Sequence, residues 1–189
     1  MLFGLYALMF VPSLLLYALA VFLPRRLAEL GIEAPFLVSL YTVLMAVAMS
    51  LVGLVYAQLR ARLGYAALLR MAAAAWTAAF LVLGTVSQPY VLLAAPALLG
   101  FGQAVAFSAV SLLIGETAPP ELRGRATSLS GTAAFAGQFL SPLLLGPIVD
   151  GTSVTTGFLT AGGLAAAVLL VLLVVRMPWA DADGGDVPA

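Results

Sequence analysis

The stretch from Leu98 to Pro147 reads LLGFGQAVAFSAVSLLIG, then ETAPPELRGR, then ATSLSGTAAFAGQFLSPLLLGP. Two apolar runs, each long enough to cross a bilayer, flank a ten-residue segment. That segment holds four of the chain's sixteen charges, Glu116, Glu121, Arg123 and Arg125, and neither run contains another. A charge at mid-depth in hydrocarbon costs several kcal/mol, so this alternation is how a chain folds in lipid.

The whole chain repeats the alternation. Of its 189 residues, 63% are hydrophobic and 8% charged, with a mean hydropathy of +1.15. A soluble domain carries roughly 25% charge. The composition therefore describes an all-α, polytopic membrane protein. The net charge is zero and no basic run occurs, which excludes nucleic acid as a partner. Cys and His are both missing, which removes disulfides, thiolate or imidazole metal sites and Ser-His chemistry. No metal and no cofactor are expected. Met1 leads directly into apolar residues without a basic segment, so the first run reads as a membrane helix and not as a cleaved signal.

A spanning helix needs about 20 mostly apolar residues, and six segments qualify: about 2–23, 36–59, 65–86, 90–114, 126–148 and 156–175. They form one transmembrane domain over residues 1–176. Residues 177–189, polar and acidic, are expected to be a disordered tail. Arg60, Arg62, Arg70, Arg123, Arg125 and Arg176 fall on one side, against Arg25 and Arg26 on the other, offset there by Glu29 and Glu33. The excess of arginine predicts that the six-Arg side is cytoplasmic, together with both termini. Short connections make successive helices antiparallel. Small residues permit close approach where lipid supplies no hydrophobic drive: Ala133, Gly137 and Ser141 on the fifth helix, Gly102 and Ala106 on the fourth. Packing alone also accounts for each of them.

Every Asp, Glu and Arg lies in a loop, a tail or a helix end. What remains for chemistry inside the membrane is uncharged. Gln103 and Gln138 are the most informative, because an amide needs two acceptors and a donor that lipid does not supply. Each must face another helix or a wet cavity. Phe107 follows Gln103 by four residues and Phe135 precedes Gln138 by three, and an amide beside a ring suits an amphipathic organic ligand. An amide bonded to a neighbouring helix satisfies the same requirement. Tyr17 and Tyr41 add hydroxyls; Tyr6 and Tyr17 equally suit an interfacial belt.

In ETAPPELRGR, Pro119 and Pro120 stop the fourth helix and preset the start of the fifth. Glu121 is expected in the first turn, where the helix dipole favours an anion, paired with Arg125 at i+4. Gly124 permits tight packing. A well-capped turn with snorkelling arginines has the same local features.

Taken together, Gly100-Phe101-Gly102-Gln103, Glu116 with Pro119-Pro120-Glu121-Leu122-Arg123-Gly124-Arg125-Ala126, Gly137-Gln138 and Ser141-Pro142 resemble the major facilitator superfamily. They look like the tenth and eleventh helices of its twelve-helix transporters and the cytoplasmic loop between them. Ala57 to Gly64 (AQLRARLG) is similar to the degenerate second copy of the superfamily's cytoplasmic G-x-L-x-D-R-x-G signature. Arg62 and Gly64 match it. Ala57 stands for its glycine and Ala61 for its acidic residue, so the resemblance does not carry that motif's charge relay to this chain. The fourth helix also lacks the intramembrane arginine of the equivalent N-terminal helix.

The resemblance thus implies the C-terminal half, an MFS-like half-bundle, with efflux-type branches most similar. Substrate binds between the superfamily's two halves near the midplane. The resemblance implies transport of a small organic solute by alternating access, in the cell membrane, with an N-terminal six-helix half or a second subunit as partner. Gln103, Phe107, Gln138, Tyr17 and Tyr41 are the candidate cavity residues. Arg62, Gly64, Glu121, Arg123, Gly124 and Arg125 are the candidate gate residues. An inert fragment or a subunit acting through helix contacts is the rival reading. An intramembrane enzyme has few actors without His, Cys or an embedded carboxylate.

Overall fold

A computed structural model describes residues 2–175. It comprises α1 (Leu2–Glu29), α2 (Pro35–Arg62), α3 (Tyr65–Thr85), the single turn α4 (Pro89–Leu92), α5 (Ala94–Thr117), a 3₁₀ turn (Pro120–Leu122), α6 (Arg123–Gly151) and α7 (Val154–Val174). With α4 and α5 taken as one span, six helices are long and apolar enough to cross a membrane, and the described residues contain no strand. Arg176 and the tail at 177–189 lie outside the described residues.

Several helices run past their predicted ends. The 28 residues of α1 measure about 42 Å, the thickness of a bilayer with its headgroup layers. Helix therefore continues where the charges begin, because Arg25, Arg26 and Glu29 sit at headgroup depth and not in a loop. The same effect shortens ETAPPELRGR from ten loop residues to five, 118–122. Glu121 falls in the 3₁₀ turn, before the first turn of α6, and makes no ion pair with Arg125. Pro142 and Pro147 stay inside α6, as proline does in membrane helices when neighbours satisfy the freed carbonyls.

Helix ends follow local chemistry. Gly31 adopts φ 76°, and the Ile32 N–H reaches the Leu27 carbonyl at 2.9 Å, the left-handed cap that only glycine forms without strain. Ser153 caps α7, its hydroxyl accepting the Thr156 N–H at 3.1 Å. Ala118, held extended at ψ 135° before Pro119, ends α5 as a pre-proline residue should.

Connections of two to five residues reverse the chain between successive spans, yet most helices adjacent in sequence are poor packing partners, α3 and α5 excepted. α1 and α2 barely touch, nor do α2 and α3. The large contacts join α1 to α6, α3 to α7, α3 to α5 and α2 to α5, with α1 also on α5. α1 and α6 run parallel. Near the start of both helices Tyr6 donates to the Ala126 carbonyl, and near the far end of both Arg25 meets Asp150. The result is a row α2–α5–α1–α6 with α3 and α7 packed behind it.

Glycine sets the row's spacing. On α5, a Cβ at Gly100 would collide with the Met45 carbonyl of α2, and one at Gly102 would stand 2.6 Å from Trp76 Nε1 of α3. On α6, a Cβ at Gly137 would strike the Phe10 carbonyl of α1. Residues 126, 130, 134, 137, 141, 145 and 149 form the buried stripe of α6. Gly137 and Ser141 lie in it as expected, while Ala134 takes the place assigned to Ala133.

The two arginines at the far end do different work. Arg25 bonds Asp150 at 2.7 Å with both side chains largely in the open, 51% and 72% exposed. Arg26 is buried. It donates to the Val86 carbonyl at 3.0 Å, tying α1 to the end of α3, and to Glu29 at 3.3 Å.

Two predictions follow from this packing. Gly137→Ala should cost about 1–3 kcal/mol in detergent unfolding, since backbone must move. Gly131→Ala, whose Cβ meets nothing within 4 Å, should be neutral or gain up to about 1 kcal/mol. Likewise Arg26→Met should cost about 1–3 kcal/mol by stranding the Val86 carbonyl, whereas Arg25→Met should cost about 0–1 kcal/mol. Equal losses within either pair would contradict this account.

Candidate functional site

The row α2–α5–α1–α6 carries its polar atoms at the helix midpoints. Tyr17 lies halfway along α1, Gln103 halfway along the α4–α5 span and Gln138 halfway along α6. No Asp, Glu, Lys or Arg stands at these depths. The structure nevertheless sends the three side chains to different places.

Gln138 and Tyr17 come together. They line one groove of about 470 Å³ between α6 and α1, with Phe135, Phe139 and Pro142. Tyr17 is 40% exposed there, and the two phenylalanines more so. Pro142 has no N–H, so the Gln138 carbonyl four residues earlier loses its intrahelical donor. One residue thus presents an amide and a freed backbone acceptor among aromatic rings. In lipid such groups need a partner.

Gln103 does not join them. It is 1% exposed, facing the bundle interior, and its Oε1 has no hydrogen-bond partner. The Trp76 indole N–H, packed against Gly102, also lacks a partner. Phe107 turns the other way and lines a second groove of about 560 Å³ between α5 and α2, with Tyr56, Ser108 and Ser111. Gln103 and Phe107 are four residues apart, but burial separates them: Gln103 is enclosed while Phe107 is 40% exposed. Tyr41 lies in the second turn of α2, away from mid-depth, and its hydroxyl donates to the Pro89 carbonyl at 3.0 Å. That bond fastens α2 to α4.

At the arginine-rich end, Arg62 closes α2 and Gly64 lies in the two-residue turn that leads to α3. Arg123 Nε donates to the Ala118 carbonyl at 3.4 Å and steadies the loop. Gly124 and Arg125 border a shallow groove with Ser128 and Thr132. The strongest contacts here involve residues that sequence reasoning did not join. The Arg60 guanidinium lies 3.8 Å above the Tyr65 ring, and the Tyr65 hydroxyl donates to Glu116 at 2.8 Å. Together they tie the end of α2, the start of α3 and the end of α5. In the sequence Tyr65 follows Gly64 directly, and Glu116 stands as one charge among the four of the segment 116–125. Their meeting depends on α3 packing against α5, which no local pattern announces.

Residues 3–186 match the Major Facilitator Superfamily. No curated protein matches the chain.

Tyr65→Phe should remove the hydroxyl that donates to the exposed Glu116 carboxylate and cost about 1 kcal/mol or more in detergent unfolding. Tyr65→Leu should cost more, by also removing the ring beneath Arg60. An unchanged midpoint in both variants would show that the cluster ties nothing.

Proposed function

The chain belongs to the Major Facilitator Superfamily, a family of secondary transporters that are typically not enzymes, and on that premise we propose that it forms the C-terminal six-helix half of an efflux-type transporter for a small organic solute. The transporter is completed by an N-terminal half or by a second subunit. The observation that carries this reading is the groove of Tyr17, Phe135, Gln138 and Phe139. It places an amide, a hydroxyl and a proline-freed carbonyl between rings at the midpoint of two helices.

Such a surface suits an amphipathic, weakly charged solute. A second set of helices laid over α2, α5, α1 and α6 would enclose it near the midplane, where the superfamily binds substrate. The Phe107 groove would be the same cavity's other margin. Gln103 and Tyr41 would act through the packing of α5 and α2. With no charge at mid-depth in the described residues, proton coupling would depend on groups in the partner half.

The arginine-rich end would be cytoplasmic, in the cell membrane, following the excess of arginine. There the start of α6, with Arg123, Gly124 and Arg125 beside Glu121, would dock on an acidic motif of the other half. Arg62 and Gly64 would form the facing turn. The helix dipole and the guanidinium groups supply the attraction.

The test is co-expression with a matched N-terminal half in a transport-deficient host. The pair should move solute and the six-helix chain alone should not; flux by the chain as a proven monomer overturns the half-transporter reading. Within the active pair, Gln138→Leu should raise KM about fivefold to thirtyfold, the loss of one or two hydrogen bonds at about 1 kcal/mol each. An unchanged KM removes Gln138 from the site.

A further inference from the structure

A further groove, of about 400 Å³, runs between the first third of α1 and the last third of α7. Gly4, Ala7 and Val11 form one wall, Ala167, Val171 and Leu172 the other, and every residue lining it is glycine or aliphatic. It exists because α1 and α7 splay: they touch far less than α1 and α6 or α3 and α7 do. Gly4 and Ala7 leave its α1 wall shallow. A Cβ at Gly4 would meet nothing within 4 Å.

The groove lies on a different side of the molecule from the solute surface. Thirteen helical residues separate Gly4 from Tyr17, a rotation of roughly 140° about α1 at 3.6 residues per turn. A partner half covering Tyr17, Phe135 and Phe139 therefore leaves the groove open. From Ala167 to Val175 its length is about 12 Å, within the roughly 15 Å of hydrocarbon in one leaflet. It begins at the arginine-rich end of both helices.

A cation stands beside it. Arg70 of α3 donates from Nε to the Leu172 carbonyl at 2.9 Å, and Leu172 is itself a wall residue. Arg70 is half-buried and forms no ion pair among the described residues. Its two terminal nitrogens keep the paired geometry that phosphate oxygens accept.

We propose that this groove binds a phospholipid of the leaflet at the arginine-rich end, one acyl chain lying between α1 and α7 and the phosphate held by Arg70. The walls supply dispersion contact along the chain. The guanidinium fixes the headgroup, so the bound lipid joins α1 to the α3–α7 pair across the groove that parts them. This assignment depends on the membrane span alone and not on what the transporter carries.

The six-helix chain is purified in mild detergent after reconstitution with phosphatidylglycerol, and retained lipid is measured by mass spectrometry of the intact complex. The unaltered chain should keep phosphatidylglycerol. Ala7→Trp and Ala167→Trp should each lower retention about tenfold, the loss of roughly two buried methylenes. Arg70→Gln should lower it several-fold. Leu81→Trp, on an exposed site of α3 outside the groove, should not. Equal retention in all four variants, equal loss in all four, or retention of detergent or free fatty acid in place of phospholipid overturns the proposal.

A second measurement keeps the question open to test if the tryptophan variants do not fold. Phosphatidylglycerol with a photoreactive tail should label residues 2–11 and 167–175 of the unaltered chain. Labelling spread evenly over the exposed helices, or concentrated around Tyr17, overturns it.

Discussion

The closeness of three backbones at α5 determines how the remaining helices are placed. In lipid, nothing drives two apolar helices together beyond dispersion and the few hydrogen bonds they share. Contact must therefore be close, and close contact needs missing side chains. Gly100 and Gly102 are two residues apart, which on a helix is a rotation of about 200°. Their contacts accordingly fall on opposite sides, Met45 of α2 on one and Trp76 of α3 on the other. α5 becomes the helix against which α2, α3 and α1 are all positioned. Its side chains are buried on nearly every face, as its lack of a polar side requires.

That arrangement has a functional consequence. A row of helices with a second layer behind it has one face left uncovered. On this face the chain exposes Phe135, Phe139, Tyr17 and Phe107, rings that could have been turned into the bundle. Their polar neighbours are neutral. Neutral groups can be laid bare at mid-depth at a cost of a few kcal/mol at most, while an unpaired charge there costs more. The charges are kept at the ends, where headgroups and water solvate them. There they do mechanical work: Arg26 grips the end of α3, and Glu116 grips Tyr65.

The helices were readable because spanning a bilayer imposes a length and an absence of charge that composition alone reveals. Their ends were less so. The ten residues around Pro119-Pro120 looked like loop because they are charged, yet half of them are helical, since a helix longer than the hydrocarbon carries charges at headgroup depth. The stripe of Gly137 and Ser141 was legible from its spacing. So was the informative character of Gln138, because a mid-span amide needs a partner. Gln103 carries the same local signal and ends in the bundle interior. Nothing within α5 distinguishes its two sides; the difference comes from α3 and α1 closing over one of them.

From the sequence by itself came the number of spans, the exclusion of charge from their middles, the glycines that permit contact and the motif run of the superfamily. All of these depend on interactions between a residue and lipid, or between residues one or two turns apart. Only the tertiary structure decided which helices pair, which amide faces outward, that Arg60, Tyr65 and Glu116 meet, and that α1 and α7 part to leave a groove. Each of those depends on at least one contact between residues 26 or more positions apart in the chain. Their encounter follows from how six apolar cylinders pack, and in lipid every side of such a cylinder is equally acceptable until a neighbour covers it.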